Sequence, residues 1–158
     1  MSRSMTISVR SLAASDHDAW LQLWQGYQDF YGVALAADVT AATWARLLGS
    51  AEPVWGLAAL ESGRMVGLAH YLFHRSTWMT EDTCYLQDLF VAPAVRGQGI
   101  ARRLVEAVYE ASDRAGAGQV YWLTHETNVT ARRLYDRLAT HTGFVLYERF
   151  VEVPGGGR

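Results

Sequence analysis

Two short stretches of this chain hold residue types at spacings that could do chemistry. The first is Val95-Arg96-Gly97-Gln98-Gly99-Ile100-Ala101. It follows the apolar run Tyr85–Val91 and leads into apolar residues at helical spacing from Ile100. Glycines let a backbone come close to a ligand, and the free N–H groups of a helix N-terminus point at an anion held there. Arg96 adds positive charge. A strand–loop–helix of this kind can hold a phosphate, although an ordinary strand–helix turn has the same outline. The second stretch is Asn128-Val129-Thr130-Ala131-Arg132-Arg133-Leu134-Tyr135, followed by Gly143-Phe144. Asn128 and Tyr135 are seven residues apart, so on a helix both face one side.

The loop fits two familiar phosphate motifs badly. A Walker-type loop needs Lys and then Ser or Thr after the second glycine, and Ile100-Ala101 stand there. A dinucleotide fingerprint needs a third glycine where Arg102 sits, and an acid at the end of the next strand, where Gln119–Leu123 has none. A third pattern, Arg or Gln, two residues, Gly, one residue, then Gly or Ala, is met at Arg96, Gly99 and Ala101. It resembles the pyrophosphate loop of the GNAT N-acetyltransferases, which use acetyl-CoA. Asn128 with Ala131, Leu134-Tyr135 and Gly143-Phe144 resembles the same family, and the likeness covers nearly the whole chain.

The resemblance implies a set of roles. The backbone N–H groups of Gln98, Gly99, Ile100 and Ala101, with Arg96 and Gly97, would meet the pyrophosphate. A bulge would splay the strand before the loop from the strand after the long helix. The backbone of Leu89, Phe90 and Val91 would then meet the pantetheine as an added strand would. Asn128 would touch the pantetheine arm. The Tyr135 phenol, with an ordinary pKa of about 10, would protonate the departing sulfur.

The base is left open. Tyr85-Leu86-Gln87-Asp88 resembles the Tyr-Leu-Glu-Asp segment of diamine-acetylating relatives, but Gln87 stands where a glutamate would act. Asp88 is the catalytic candidate, with a structural carboxylate as its alternative. His74, His125 and Glu126 are further candidates. Gln119–Thr124 with Glu126 and Asn128 resembles a branch with histone-, polyamine- and amino-acid-acetylating members. The expected acceptor is therefore a small-molecule or peptide amine. Transfer of another acyl group, or CoA binding without catalysis, are the rival readings.

Elements must position these groups. Alternation over Thr6–Leu12 predicts a strand, and Ser15 looks like the N-cap of a helix carrying Trp20, Leu23, Trp24, Tyr27, Phe30 and Tyr31 on one stripe. That stripe reads as core or as the wall of an acceptor pocket, with Trp78 a further wall candidate. A short helix runs from Thr40 or Thr43 to Leu48. Val54–Leu60 and Met65–Phe73 flank a glycine turn as a hairpin. Thr83–Val91, Val120–Thr124 and Phe144–Val153 read as further strands. Helices start at Ile100 and, capped by Thr127 or Asn128, after Asn128. The order β-α-α-β-β-β-α-β-α-β predicts an α/β (mixed α+β) fold. It would be a central mixed sheet with helices on both faces and splayed strands forming the CoA cleft, in one domain over 1–158.

Composition sets the remaining limits. The 158 residues are 50% hydrophobic and 19% charged, which suits a globular core rather than disorder. A net charge of −2 gives no basic footprint for nucleic acid or an anionic membrane. No apolar run nears the ~18 residues of a membrane helix, and no apolar segment between Arg3 and Arg10 suggests a signal peptide. The expected setting is cytoplasmic. Cys84 is the only cysteine, expected as a buried, reduced thiol, and the five histidines show no metal-ligand spacing. No metal is expected, and a homodimer is an open option.

Overall fold

The computed structural model describes residues 5–151. Chain order gives β1 (Ile7–Ser11), α1 (His17–Tyr31), α2 (Ala37–Leu48), β2 (Val54–Glu61) and β3 (Arg64–His74). There follow β4 (Thr83–Val91), α3 (Ile100–Arg114), β5 (Gln119–Tyr121) and α4 (Val129–Leu138). The strands form one sheet in the order β1-β2-β3-β4-β5. The first four pair antiparallel, and β5 joins β4 in parallel. A parallel neighbour needs a crossover connection, and α3 supplies it.

Both faces of the sheet are covered. Ile100, Leu104, Val105 and Val108 of α3 pack on Leu57, Ala69, Cys84 and Leu86. On the other face, Trp20, Leu23 and Trp24 of α1 and Leu47 of α2 pack on Leu68 and Phe90. The hairpin turn is Ser62-Gly63, both with positive φ, as a two-residue turn between twisted strands requires.

One irregularity in β4 decides where the site forms. The β3–β4 register passes from His70↔Asp88 to Tyr71↔Leu86, so Gln87 has no cross-strand partner. This is a β-bulge. In a regular strand Leu86, Asp88 and Phe90 would share a face. The extra residue turns the strand, so Leu86 packs toward α3 while Phe90 packs toward α1.

Several boundaries differ from the sequence reading. Ser15 does not cap α1. A 3-10 turn over Ala14–Asp16 precedes that helix, and the Asp16 carboxylate accepts from the Ala13 N–H and from both Arg10 guanidinium nitrogens at 2.7 and 2.9 Å. The helix α2 starts at Ala37, ahead of both threonines. The strand predicted over Phe144–Val153 does not form among the described residues. Residues 144–149 pair with no described strand and their side chains are exposed, while 152 and 153 lie outside the described residues, as does the Gly155–Gly157 tail. Apolar, strand-favouring side chains make a strand only where a neighbour completes the ladder. No described strand pairs with residues 144–149 to do so.

Candidate active site

Pairing between β4 and β5 stops at Tyr85↔Tyr121. Beyond that point the two strands part, at the level of the Gln87 bulge. The gap is a shallow cleft open to solvent. Gln87 and Leu89 line it from β4, Trp122 from the chain after β5, Tyr135 from α4, and Tyr27 and Tyr31 from α1. Tyr27 and Tyr31 are four residues apart on α1, so one helix face presents both rings.

Tyr135 is set at the cleft wall by edge-on contact with Trp122, centroids 5.4 Å apart. Burial, with the nearby Tyr31 adding to it, pushes the phenol up to about 12. The hydroxyl is thus a proton donor throughout the physiological range.

Asp88 is bound into a side-chain chain behind the cleft. The Trp20 indole Nε1–H donates to His70 Nε2 at 2.9 Å. An indole nitrogen can only donate, so His70 Nε2 accepts and its ring proton is on Nδ1. That Nδ1–H donates to Asp88 Oδ2 at 3.0 Å. The Tyr27 hydroxyl faces Asp88, and burial together with that carboxylate raises the Tyr27 pKa strongly. His70 is 3% exposed and Trp20 fully buried. The sequence reading did not single out His70. A lone histidine inside the apolar run of β3, on the strand next to an aspartate, was the available signal.

The glycine loop has the local form expected of it. Gly97 and Gly99 lie at φ 79 and 77, a region open to glycine and strained for other residues. No side chain caps α3, and its first turn carries no acid. The first helical bond runs from the Arg103 N–H to the Gly99 carbonyl. The N–H groups of Ile100, Ala101 and Arg102 therefore lack intrahelical acceptors. With the helix dipole behind them they suit an anion. Arg96 folds back on the protein. Its Nε donates to the Val91 carbonyl at 3.1 Å, and its guanidinium lies 5.5 Å from the ring centroids of Phe30 and Phe90. Its charge is thus fixed at the end of β4, and one backbone oxygen of the expected pantetheine stretch is already engaged.

The other candidates are dispersed. Asn128 occupies the N-cap position of α4 without capping it, and its amide donates to Thr124 Oγ1 at 3.3 Å, toward the cleft wall. His74 donates from Nδ1 to the Arg75 carbonyl and accepts from the Tyr121 hydroxyl at 2.9 Å, which makes it a support for Tyr121. His125 is engaged by Thr127, and the Glu126 carbonyl by Arg132. Trp78 is 91% exposed and lines nothing. Burial raises the Cys84 thiol to about 11, which makes it a poor nucleophile. Among the described residues no group of three or more His, Cys, Asp or Glu could hold a metal ion, and no helix is long and apolar enough to cross a membrane.

Comparison with known proteins converges on this geometry. The model of the acetyltransferase (GNAT) family matches residues 18–139. The D-amino-acid N-acetyltransferase HPA3 of Saccharomyces cerevisiae is 37% identical over 145 residues, covering 90% of each chain. The thialysine N-epsilon-acetyltransferase of Sus scrofa is 38% identical over 74 residues, 47% of this chain and 43% of that one. Among solved structures, the aminoglycoside N-acetyltransferase AAC(6')-Iy in complex with CoA has the same fold, with a TM-score of 0.75 at 19% identity and 97% of both chains covered. With its mixed sheet, its parted strands and these relatives, the chain belongs to the GNAT acetyltransferase family and is an acetyl-CoA-dependent acyltransferase.

Proposed function

We propose that the protein moves an acetyl group from acetyl-CoA to the primary amine of a small molecule or peptide, with an amino acid's α-amine as the favoured acceptor. One observation carries the reading. Where β4 and β5 part, a phenol that stays protonated faces a cleft with no competing nucleophile. When bound, acetyl-CoA supplies a thioester, an acyl group on a good leaving sulfur.

The chain's own residues fit that substrate. The free N–H groups at the start of α3, with the turns at Gly97 and Gly99, suit its pyrophosphate. The edge of β4 over Leu89–Val91, left without a strand partner beyond Tyr85, offers backbone groups to the pantetheine amides. The Asn128 amide, turned toward the cleft wall, is the side-chain contact for that arm. Tyr135 gives its phenolic proton to the departing sulfur as the C–N bond to the amine forms and the C–S bond breaks. The proton shed by the amine restores the phenol through solvent.

Asp88 holds Tyr27 and His70 and is read as a positioning residue rather than the base. With Gln87 in the bulge, the cleft lining has no carboxylate. An amine of lower pKa is then the better acceptor, because more of it is neutral without help. A peptide's α-amine near 8 has this advantage over an alkyl amine near 10.4, and the α-amine of a free amino acid, with a value between the two, shares it in smaller measure. The name of the yeast relative points the same way. A lone, buried, reduced cysteine and the use of acetyl-CoA suit a cytoplasmic setting.

An acceptor screen over D- and L-amino acids, peptides and polyamines, following release of free CoA, tests the reading. Turnover of amino acids is expected. Turnover of spermidine with none of amino acids would overturn the α-amine preference. Tight CoA binding with no turnover of any amine would point to a binding module.

A further inference from the structure

Resting on the reading of acetyl transfer to a primary amine given above, we infer that the Tyr27 hydroxyl binds the acceptor by accepting an N–H of its amine, and that the buried Trp20–His70–Asp88 chain fixes the direction of that hydroxyl. Tyr27 is half-buried and lines the cleft from α1. Its ring is held flat on Trp24, with centroids 5.2 Å apart and 9° between the planes, and edge-on to Phe90 at 6.0 Å. This packing sets where its oxygen sits, facing Asp88.

Hydrogen-bond capacity then sets which way the hydroxyl turns. A phenol can donate or accept, whereas a carboxylate only accepts. Tyr31 and Tyr85 are the other titratable groups that bear on the Tyr27 hydroxyl, and both are phenols. Tyr27 therefore turns its proton to Asp88 and leaves its lone pairs for the cleft. Asp88 is kept from rotating by His70, whose Nδ1–H donates to Oδ2 at 3.0 Å. His70 is kept from rotating by the Trp20 indole at 2.9 Å. Trp20 is fully buried, stacked on Trp24 and packed on Trp44 at 4.9 Å. A buried polar chain with every member satisfied is rigid, and the end of this one in the cleft is the phenol.

A hydroxyl that can only accept suits an amine nucleophile. A neutral primary amine has two N–H groups and one lone pair, and the lone pair must reach the thioester carbon. A donor beside the amine would hold that lone pair and block attack. An acceptor takes an N–H and leaves the lone pair free. Tyr135 lines the same cleft with no carboxylate bearing on its hydroxyl, so its proton stays available to the departing sulfur. Two phenols of one cleft are thus set to opposite uses by what stands behind each.

Steady-state kinetics of the full chain decides it, using whichever of D-alanine, L-alanine, a peptide that begins with alanine, and spermidine the wild type acetylates fastest. Tyr27→Phe keeps the ring on Trp24 and removes the oxygen. The acceptor KM should rise about tenfold, the size of one lost hydrogen bond, while calorimetry shows acetyl-CoA affinity unchanged. His70→Leu leaves Asp88 free to rotate and should reproduce that rise, although His70 does not line the cleft. Should His70→Leu fail to fold, Asp88→Asn carries the same expectation. His70→Gln sets an acceptor and a donor side by side, as the neutral imidazole does, and should keep KM near the wild-type value. Variants of His70 and Asp88 that melt earlier with an unmoved KM would overturn the role of the chain. An unmoved KM in Tyr27→Phe would overturn the inference and leave acetyl transfer standing. A wild type that acetylates none of the four amines would remove the acetyl-transfer reading, and the role of Tyr27 with it.

Discussion

The glycine loop and the side-chain network behind the cleft both adjoin β4, yet they are built on different principles. The loop from Arg96 to Ala101 is defined by its backbone. Positive φ at Gly97 and Gly99 and an uncapped helix start are properties of six consecutive residues. The network works through side chains from distant parts of the chain. Trp20 of α1, His70 of β3 and Asp88 of β4 are joined by two hydrogen bonds that span 50 and 18 residues. A local device can be altered with little effect on the rest of the fold. A network of buried polar groups cannot, because each lost partner leaves a buried donor or acceptor unsatisfied.

The largest effect is expected at Tyr135, which lies on the cleft wall outside both regions. Tyr135→Phe keeps the ring against Trp122 and removes the donor, so kcat should fall by about 100–10,000-fold with little change in acetyl-CoA affinity. Stopped-flow measurement of the acyl-transfer step checks this. A variant as fast as wild type in that step would remove Tyr135 from the chemistry.

Gly99→Val breaks the loop alone. A Cβ at Gly99 meets nothing within 4 Å, so the fold has room for it, but φ 77 is strained for a β-branched residue and the new side chain enters the anion's space. Acetyl-CoA affinity should drop by about tenfold or more, each tenfold being about 1.4 kcal/mol. Calorimetry reads the affinity and thermal melting reads the fold. Unchanged affinity in the folded variant would take the pyrophosphate away from this loop.

Asp88→Asn breaks the network alone. The amide has one acceptor oxygen where the carboxylate has two, so it cannot turn an acceptor to both the His70 N–H and the Tyr27 hydroxyl. Stability should fall by about 1–3 kcal/mol, measured by urea unfolding. The pH profile of kcat/KM should keep its shape. A flattened acidic limb would instead make Asp88 the base.

The smallest effect sharpens the comparison through pH. Burial holds Tyr27, Tyr31 and Tyr85 above the ordinary phenol value, and Tyr135 at about 12. In the unfolded chain these phenols ionise near 10, so from about pH 10 upward the folded state retains protons that the unfolded state has lost. Stability should therefore decline as pH climbs from about 10 through 12, and these groups add no pH dependence below that. Tyr135→Phe should lessen the decline. Gly99→Val should not change it, because the loop buries no phenol.

The sequence by itself determined the parts ruled by neighbours along the chain. The turns at Gly63, Gly97 and Gly99, the amphipathic face of α3 and the order of elements through α4 follow from residue type and spacing. The motif spacings at Arg96, Gly99 and Ala101 and at Asn128 and Tyr135 were legible too, because each lies within one stretch of chain. The tertiary structure decided the rest. It split the α1 stripe, burying Trp20, Leu23 and Trp24 while bringing Tyr27 and Tyr31 to the cleft, since only the sheet beneath sets which part of a helix face is covered. It linked His70 to Asp88 through a register that a one-residue bulge fixes, and no periodicity within either strand encodes that pairing. Among the described residues it also left 144–149 without the ladder their composition predicts, because a strand is completed by its neighbour and not by its own residues.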